Sequence, residues 1–150
     1  MQGKLKKVFY AEANYGEEEI NAVLKVLENN RLSLMCGKNV KELEGKLSKL
    51  FNKDYGVMSN SGSSANLLGL LSLRLENGSK VITPSLTFST TVAPIVQSNL
   101  IPLFVDVDRE TLQINTDLLN DIPLDNVSAI MVPNLIGNIP DWIKIKKLAN

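Results

Sequence analysis

Apolar and polar residues follow one another along this chain in two different rhythms. Ile20, Val23, Leu24 and Leu27 recur at helical spacing, with Glu17, Glu18 and Glu19 in the favourable first turn of the helix they predict. Val40, Leu43, Leu47 and Leu50 repeat the pattern in a second amphipathic helix; residues 31–38 between them, with Gly37, read as a loop. From Tyr55 the rhythm changes. The run Tyr55-Gly56-Val57-Met58 predicts a strand, and Ser59-Asn60-Ser61-Gly62-Ser63-Ser64 predicts a turn. The helix that follows carries Leu67, Leu68, Leu70, Leu71, Leu73 and Leu75 on most of its sides. A helix apolar on nearly all faces is expected to be buried, here against a sheet.

Three further apolar runs predict strands: Val81-Ile82-Thr83, Leu103-Phe104-Val105 and Ala129-Ile130-Met131-Val132. They are continuous rather than alternating, which favours a parallel sheet covered on both faces. Helical segments are expected between them over residues 90–98 and, shorter, near Asp117–Asn120. A last helix begins near Asp141, with Ile143, Ile145 and Leu148 apolar. Two helices followed by strands and helices in alternation define an α/β fold, a mostly parallel sheet flanked by helices. The chain reaches Lys146-Lys147-Leu148-Ala149-Asn150 inside a helix of the kind that delivers a further strand. Residues 1–150 are therefore expected to form an incomplete large domain, with residues 1–54 as its N-terminal helical segment.

Composition narrows the chemistry. The 150 residues are 44% hydrophobic and 21% charged, as in soluble globular proteins. Sixteen basic residues balance sixteen acidic ones, so neither nucleic acid nor an acidic membrane surface is an expected partner. The lone cysteine, Cys36, cannot form an internal disulfide and fits a reducing, cytoplasmic setting. There is no histidine, which excludes Ser-His-Asp and Cys-His mechanisms from these residues, and no metal site is expected. The basic opening Met1-Gln2-Gly3-Lys4-Leu5-Lys6-Lys7 leads into no long apolar stretch, so neither a signal peptide nor a membrane span is expected.

Two loops carry candidate chemistry. At Ser61-Gly62-Ser63-Ser64 a helix begins, and its first turn offers unpaired N–H groups with partial positive charge. Gly62 lets a ligand approach the backbone and the hydroxyls of Ser63 and Ser64 add donors, so the turn suits a phosphate. The alternative is that the serines only cap the helix. The second loop, Thr83-Pro84-Ser85-Leu86-Thr87-Phe88-Ser89, follows a strand at the edge where open parallel sheets bind ligands. Phe88 is flanked by small hydroxyl residues and can stack on a flat heteroaromatic ring; the alternative is that it packs into the core. Neither loop is a dinucleotide or Walker-type glycine loop. Together they suit a phosphorylated planar cofactor.

Ser61-Gly62-Ser63-Ser64-Ala65-Asn66, Pro84-Ser85-Leu86-Thr87-Phe88 and Pro102-Leu103-Phe104-Val105-Asp106-Val107-Asp108 resemble the nucleotide-sugar aminotransferases of the DegT/StrS type, pyridoxal-phosphate enzymes of fold type I. The likeness runs from Gly16-Glu17-Glu18-Glu19-Ile20 to Gly137-Asn138-Ile139-Pro140-Asp141. It implies a cofactor site in which Gly62, Ser63 and Ser64 hold the phosphate of pyridoxal 5'-phosphate and Phe88 stacks on its ring. Asp106 and Asp108 are implied to be structural, and Asp117 to cap or open a short helix. The covalent-attachment residue and the Asp that pairs with the ring nitrogen are implied to lie beyond Asn150, so no catalytic residue is assigned within this chain. Lys80 and Lys144 are expected on solvated element ends.

The family often has a His shortly before the position of Gly137, where this chain has Asn134-Leu135-Ile136. Gly137-Asn138, Ser64-Ala65-Asn66-Leu67-Leu68 and Thr90-Thr91-Val92 look closer to the sugar 3-dehydratase branch. The resemblance implies an enzyme acting on a 4-keto-6-deoxy nucleotide sugar for polysaccharide or lipopolysaccharide synthesis. A donor such as glutamate would load the cofactor as pyridoxamine phosphate; the sugar is then aminated or, in the alternative branch, loses its 3-hydroxyl. Such enzymes are homodimers. A reading of another class is a non-catalytic α/β module that binds a phosphorylated ligand or a partner.

Overall fold

The computed structural model describes residues 7–9 and 11–150; the basic opening segment, apart from Lys7, lies outside them. The chain divides after Met58 into two compact units.

The first unit holds two helices, α1 (Glu17–Asn29) and α2 (Lys38–Leu50), where the apolar spacing places them. The Gly16 N–H donates to Glu19 Oε2 at 2.7 Å, which occupies a donor ahead of the first turn. That bond, with one from the Glu19 amide, holds the Glu19 carboxyl below its usual range. The apolar stripes of both helices, Val23 and Leu24 on α1 and Leu43 and Leu47 on α2, are exposed.

Residues 55–58 are not a strand, contrary to the expectation from their apolar run. A strand needs a neighbour for its backbone groups, and this segment makes a different bond: the Met58 N–H donates to Glu44 Oε1 of α2 at 2.7 Å. Gly56 is packed so closely on α2 that an added Cβ would sit 2.6 Å from the Glu44 carbonyl oxygen.

The second unit runs α3 (Gly62–Ser72), β1 (Lys80–Pro84), α4 (Ser89–Gln97), β2 (Ile101–Val105), a 3-10 helix (Leu118–Asp121), β3 (Val127–Ile130), a 3-10 turn (Leu135–Gly137) and α5 (Trp142–Ala149). The three strands form one sheet in the order β2-β1-β3, parallel throughout. Strand β3 starts two residues before its apolar run. Lys80 already pairs with Val127, the register shifts by one, and the ladder closes at Ile82 opposite Ile130.

Successive side chains of a strand point to opposite faces, and β1 uses both. Ile82 packs with Val105, Ile114, Leu119 and Ile145 on one face; Val81 packs with Leu70, Ile95 and Leu100 on the other. This is the doubly covered parallel sheet that the continuous apolar runs predict. The leucine-rich helix departs from expectation. Only Leu70 of α3 is buried, while Leu68, Leu71 and the following Leu73 are about half exposed. Leucines on several faces cannot all meet one neighbour, and α3 packs on α4.

One hydrogen bond fixes that packing. Pro94 stands inside α4 and has no N–H, so the carbonyl four residues earlier, that of Thr90, loses its helical donor. The Asn66 side chain of α3 supplies the replacement, Nδ2 to Thr90 O at 3.2 Å. Replacing Asn66 by Leu leaves a half-buried acceptor unpaired and is expected to cost about 1–2 kcal/mol. In a Pro94→Ala background a backbone N–H is restored and the cost of Asn66→Leu should shrink. Urea denaturation of the four proteins of this double-mutant cycle measures the coupling; equal costs in both backgrounds refute it.

Candidate functional site

Parallel strands send all their carboxyl ends to one edge, and that edge is where open α/β sheets take ligands. Here three loops meet along it: residues 85–88 after β1, 106–115 after β2 and 131–138 after β3. Side chains tie them together. Ser85 Oγ donates to Asp106 Oδ1 at 3.2 Å, joining the first two loops. Gln113 Nε2 donates to the Leu135 carbonyl at 3.0 Å and Asn138 Nδ2 to the Thr111 carbonyl at 2.8 Å, joining the second and third.

The second loop is built around Asp108. Its Oδ1 accepts from the amides of Glu110 and Thr111 and from the Thr111 hydroxyl, at 3.1, 2.9 and 3.0 Å. The Thr111 amide and then its hydroxyl hold the Asp108 carboxyl below its usual range. Asp106 accepts from the Val107 amide at 2.8 Å as well as from Ser85. Each aspartate thus uses its Oδ1 to shape these loops. Asp117, expected to cap the short helix, makes no side-chain cap; its Oδ1 instead accepts from Lys144 Nζ at 2.8 Å. This pairing raises the Lys144 ammonium above its usual range.

Gly62, Ser63 and Ser64 form the first turn of α3. Ser61 is the N-cap, its Oγ accepting the Ser64 N–H at 3.1 Å and donating to Ser64 Oγ at 3.2 Å. The cap therefore consumes the Ser64 amide. The Gly62 and Ser63 amides make no hydrogen bond among the described residues, and the Ser63 side chain is exposed. An added Cβ at Gly62 would meet nothing within 4 Å, so the space beside Gly62 is open.

Phe88 is the N-cap residue of α4 and is 66% exposed, so it stands outside the core. The bond from Asn66 to Thr90 links α3, four residues after Gly62, to the first turn of α4 that Phe88 opens. It brings the serine turn and the aromatic loop to neighbouring helix ends. Buried oxygens with unspent hydrogen-bonding capacity gather at the same edge: Thr83 Oγ1, Thr87 Oγ1 and Gln113 Oε1 have no partner among the described residues.

Two lysines stand elsewhere. Lys80 opens β1, roughly 13 Å along the strand from its carboxyl end, and its Nζ donates to the Asp125 carbonyl at 3.1 Å. Lys144 is held by Asp117. Among the described residues no cluster of three or more His, Cys, Asp or Glu could hold a metal ion, and no helix is long and apolar enough to cross a membrane.

Three features of this edge were not singled out from sequence: the Asn66 clamp, the Gln113 bridge and Ile136. The last has φ +58° and is 77% exposed. A β-branched residue in the left-handed region is an outlier costing about 1–3 kcal/mol. The cue available in the sequence is Pro94, which requires a donor for Thr90 from outside its helix.

A model of the DegT/DnrJ/EryC1/StrS aminotransferase family matches residues 13–150. The GDP-4-keto-6-deoxy-D-mannose 3-dehydratase of Yersinia pseudotuberculosis is 35% identical over 144 residues, covering 92% of this chain and 36% of its own length. The 3-oxo-glucose-6-phosphate:glutamate aminotransferase of Bacillus subtilis is 29% identical over 134 residues, covering 89% and 30%. The solved structure of the E. coli GDP-4-keto-6-deoxy-D-mannose-3-dehydratase with bound hydrated PLP is similar at a TM-score of 0.82 and 35% identity, over 92% of this chain and 36% of that one. The chain thus spans 30% to 36% of the length of these relatives. Its α/β architecture is the one expected, that of the fold type I aminotransferase-like proteins.

The Asp108 bonds carry a pH dependence. The folded carboxyl titrates below the unfolded value of about 3.9, so its stabilisation is complete above that value and is lost as pH falls through the lower folded one. NMR titration of the Asp108 carboxyl should give a midpoint below the unfolded value, and Asp108→Asn should remove this part of the acid dependence of unfolding. A midpoint at the unfolded value refutes the loop bonding.

Proposed function

Because the chain belongs to the DegT/DnrJ/EryC1/StrS aminotransferase family, we propose that it supplies the phosphate and ring contacts of a pyridoxal 5'-phosphate site. The enzyme acts on a 4-keto-6-deoxy nucleotide sugar in polysaccharide or lipopolysaccharide synthesis, in the 3-dehydratase branch. One observation carries the reading: the open amides at the start of α3 and the exposed Phe88 at the start of α4 are tied side by side at the carboxyl edge. The branch is favoured by 35% identity to the Yersinia 3-dehydratase against 29% to the Bacillus aminotransferase, over similar stretches.

The residues fit this cofactor. The Gly62 and Ser63 amides are unpaired, the space beside Gly62 is open, and the first turn of α3 adds partial positive charge for a phosphate. The Ser63 hydroxyl donates to the same phosphate, Ser64 fixes the turn through Ser61, and the Phe88 ring covers one face of the pyridine. When bound, the cofactor supplies an electron-accepting ring for chemistry beside the sugar carbonyl. Lys80 sits at the opposite end of β1 and Lys144 is ion-paired, so neither is the base. We assign the base and the partner of the ring nitrogen to residues outside these 150. The 1–150 segment is part of the large domain, with residues 1–54 as its helical lead-in. The whole enzyme is a cytoplasmic homodimer that takes its amino group, as pyridoxamine phosphate, from glutamate.

Two measurements test this on the full-length gene product. Phe88→Ala should weaken pyridoxal phosphate binding by about 1–3 kcal/mol, five-fold to over a hundred-fold in a fluorescence titration; unchanged affinity removes Phe88 from the site. With glutamate and GDP-4-keto-6-deoxymannose, mass spectrometry should find a product that has lost one hydroxyl and kept its carbonyl. A 4-amino sugar instead assigns the aminotransferase branch, and no turnover of any 4-keto nucleotide sugar overturns the proposal.

A further inference from the structure

Asn77-Gly78 is the one place in the chain where an asparagine is followed by a glycine. That dipeptide carries a reaction of its own. Gly78 has no Cβ, so no side chain shields its nitrogen from Asn77 Cγ. Once that nitrogen has lost its proton to solvent it can attack Cγ. An N–Cγ bond forms, the bond from Cγ to Nδ2 breaks, and ammonia leaves behind a cyclic succinimide. Water then opens the ring at either carbonyl and leaves aspartate or isoaspartate at position 77. Water is the only other reactant and nothing is oxidised. Losses of this kind make asparagine a thermolabile residue.

The fold places this dipeptide just ahead of the central strand and ties up the attacking atom. Gly78 has φ +80°, Asn77 does not have a positive φ, and the Ser79 amide donates to the Glu76 carbonyl at 3.1 Å. This is the pattern of a type II turn, whose second residue has ψ of about +120°. The Gly78 nitrogen is thereby turned away from the Asn77 Cβ, with which ring closure needs it eclipsed. Its proton is also engaged, because the Gly78 N–H donates to the Asn99 carbonyl at 2.8 Å. On the other side of the residue, Asn126 Nδ2 donates to the Gly78 carbonyl at 2.9 Å. Asn99 and Asn126 are left-handed, at φ +56° and +61°, and stand just ahead of β2 and β3. The Lys80 amide donates to the Asn126 carbonyl at 2.7 Å and the Ile101 amide to the Ser79 carbonyl at 2.9 Å. The turns into all the strands of the sheet therefore meet at Gly78.

We infer that Asn77 is a latent self-modification site, kept silent in the folded protein by the bond from the Gly78 amide to Asn99. The reaction runs from molecules in which the turn into β1 has opened. An isoaspartate at position 77 adds a methylene to the main chain ahead of Gly78. That draws Gly78 off Asn99 and Asn126 and loosens the central strand at its amino end.

The test incubates the full-length protein at mildly alkaline pH and follows the products at position 77 by peptide mapping with mass spectrometry. Unfolding in urea should speed their appearance at least about ten-fold, since opening of a bonded turn is rare in the folded state. Equal rates in folded and unfolded protein overturn the protection, and no product at position 77 in urea overturns the site. Asn126→Ala, which frees the Gly78 carbonyl, should raise the rate in folded protein and speed hydrogen exchange of the Gly78 amide. A variant that keeps both the wild-type rate and the wild-type exchange shows that something other than these bonds shields the dipeptide, and overturns the inference. The wild-type comparison stands even where the variant fails to fold. Protein carrying isoaspartate, separated by chromatography, should unfold at lower urea than the unmodified form; an unaltered midpoint overturns the loosening of β1.

Discussion

The carbonyl of Thr90 is freed because Pro94 has no N–H to give it, and Asn66 answers it from a neighbouring helix. The candidate site depends on this exchange. A carbonyl inside a helix ordinarily finds its donor four residues on and carries no information about other elements. Once that donor is missing, the acceptor must be met from elsewhere or remain unpaired at a cost of about 1–3 kcal/mol. Its neighbours, Phe88 and Ser89, begin α4, and Asn66 lies one turn into α3 from the open Gly62 and Ser63 amides. A backbone defect in one helix therefore ties together the two helix starts that carry the candidate site.

Beneath that clamp, β1 supplies rigidity. It is paired on both sides and buried on both faces, so Thr83 and Pro84 deliver the 85–88 loop from a fixed point. The two flanking loops are then attached by side chains, Ser85 to Asp106 and Gln113 to Leu135, rather than by further ladder. Regular backbone positions the edge, and individual polar side chains set the shape of what lies on it. This division suits a family whose members share an architecture and differ in the sugar they take, since loop side chains can change without disturbing the sheet.

The parts legible in the sequence were those governed by periodicity. The helical spacing of Ile20 to Leu27 and Val40 to Leu50, and the continuous runs at Val81, Leu103 and Ala129, gave α1, α2 and the parallel strands within a few residues. The serine turn and Phe88 were legible because a hydroxyl-rich helix start and an aromatic among small polar residues are local patterns. Periodicity failed at Tyr55 to Met58, because strand formation depends on a partner and not on the run itself. It failed again on the leucines of α3, whose burial is decided by neighbours. Ile136 and Gln113 were invisible for a different reason: a left-handed φ and a bridge over 22 residues of sequence are properties of the folded loop alone.

The serine turn and the Phe88 loop carry no charged side chain of their own. From Ser59 to Leu73 and from Ile82 to Val105 there is no lysine, arginine, histidine or carboxylate. An anion bound at the first turn of α3 would meet amide dipoles and hydroxyls from this segment, whose strength does not titrate between acid and alkaline pH. The turn and the strand end are organised without a ligand, because Ser61 fixes the turn and the sheet fixes the strand end. A lysine there would draw any anion over several ångströms; two amides and a hydroxyl reward one group at hydrogen-bonding distance.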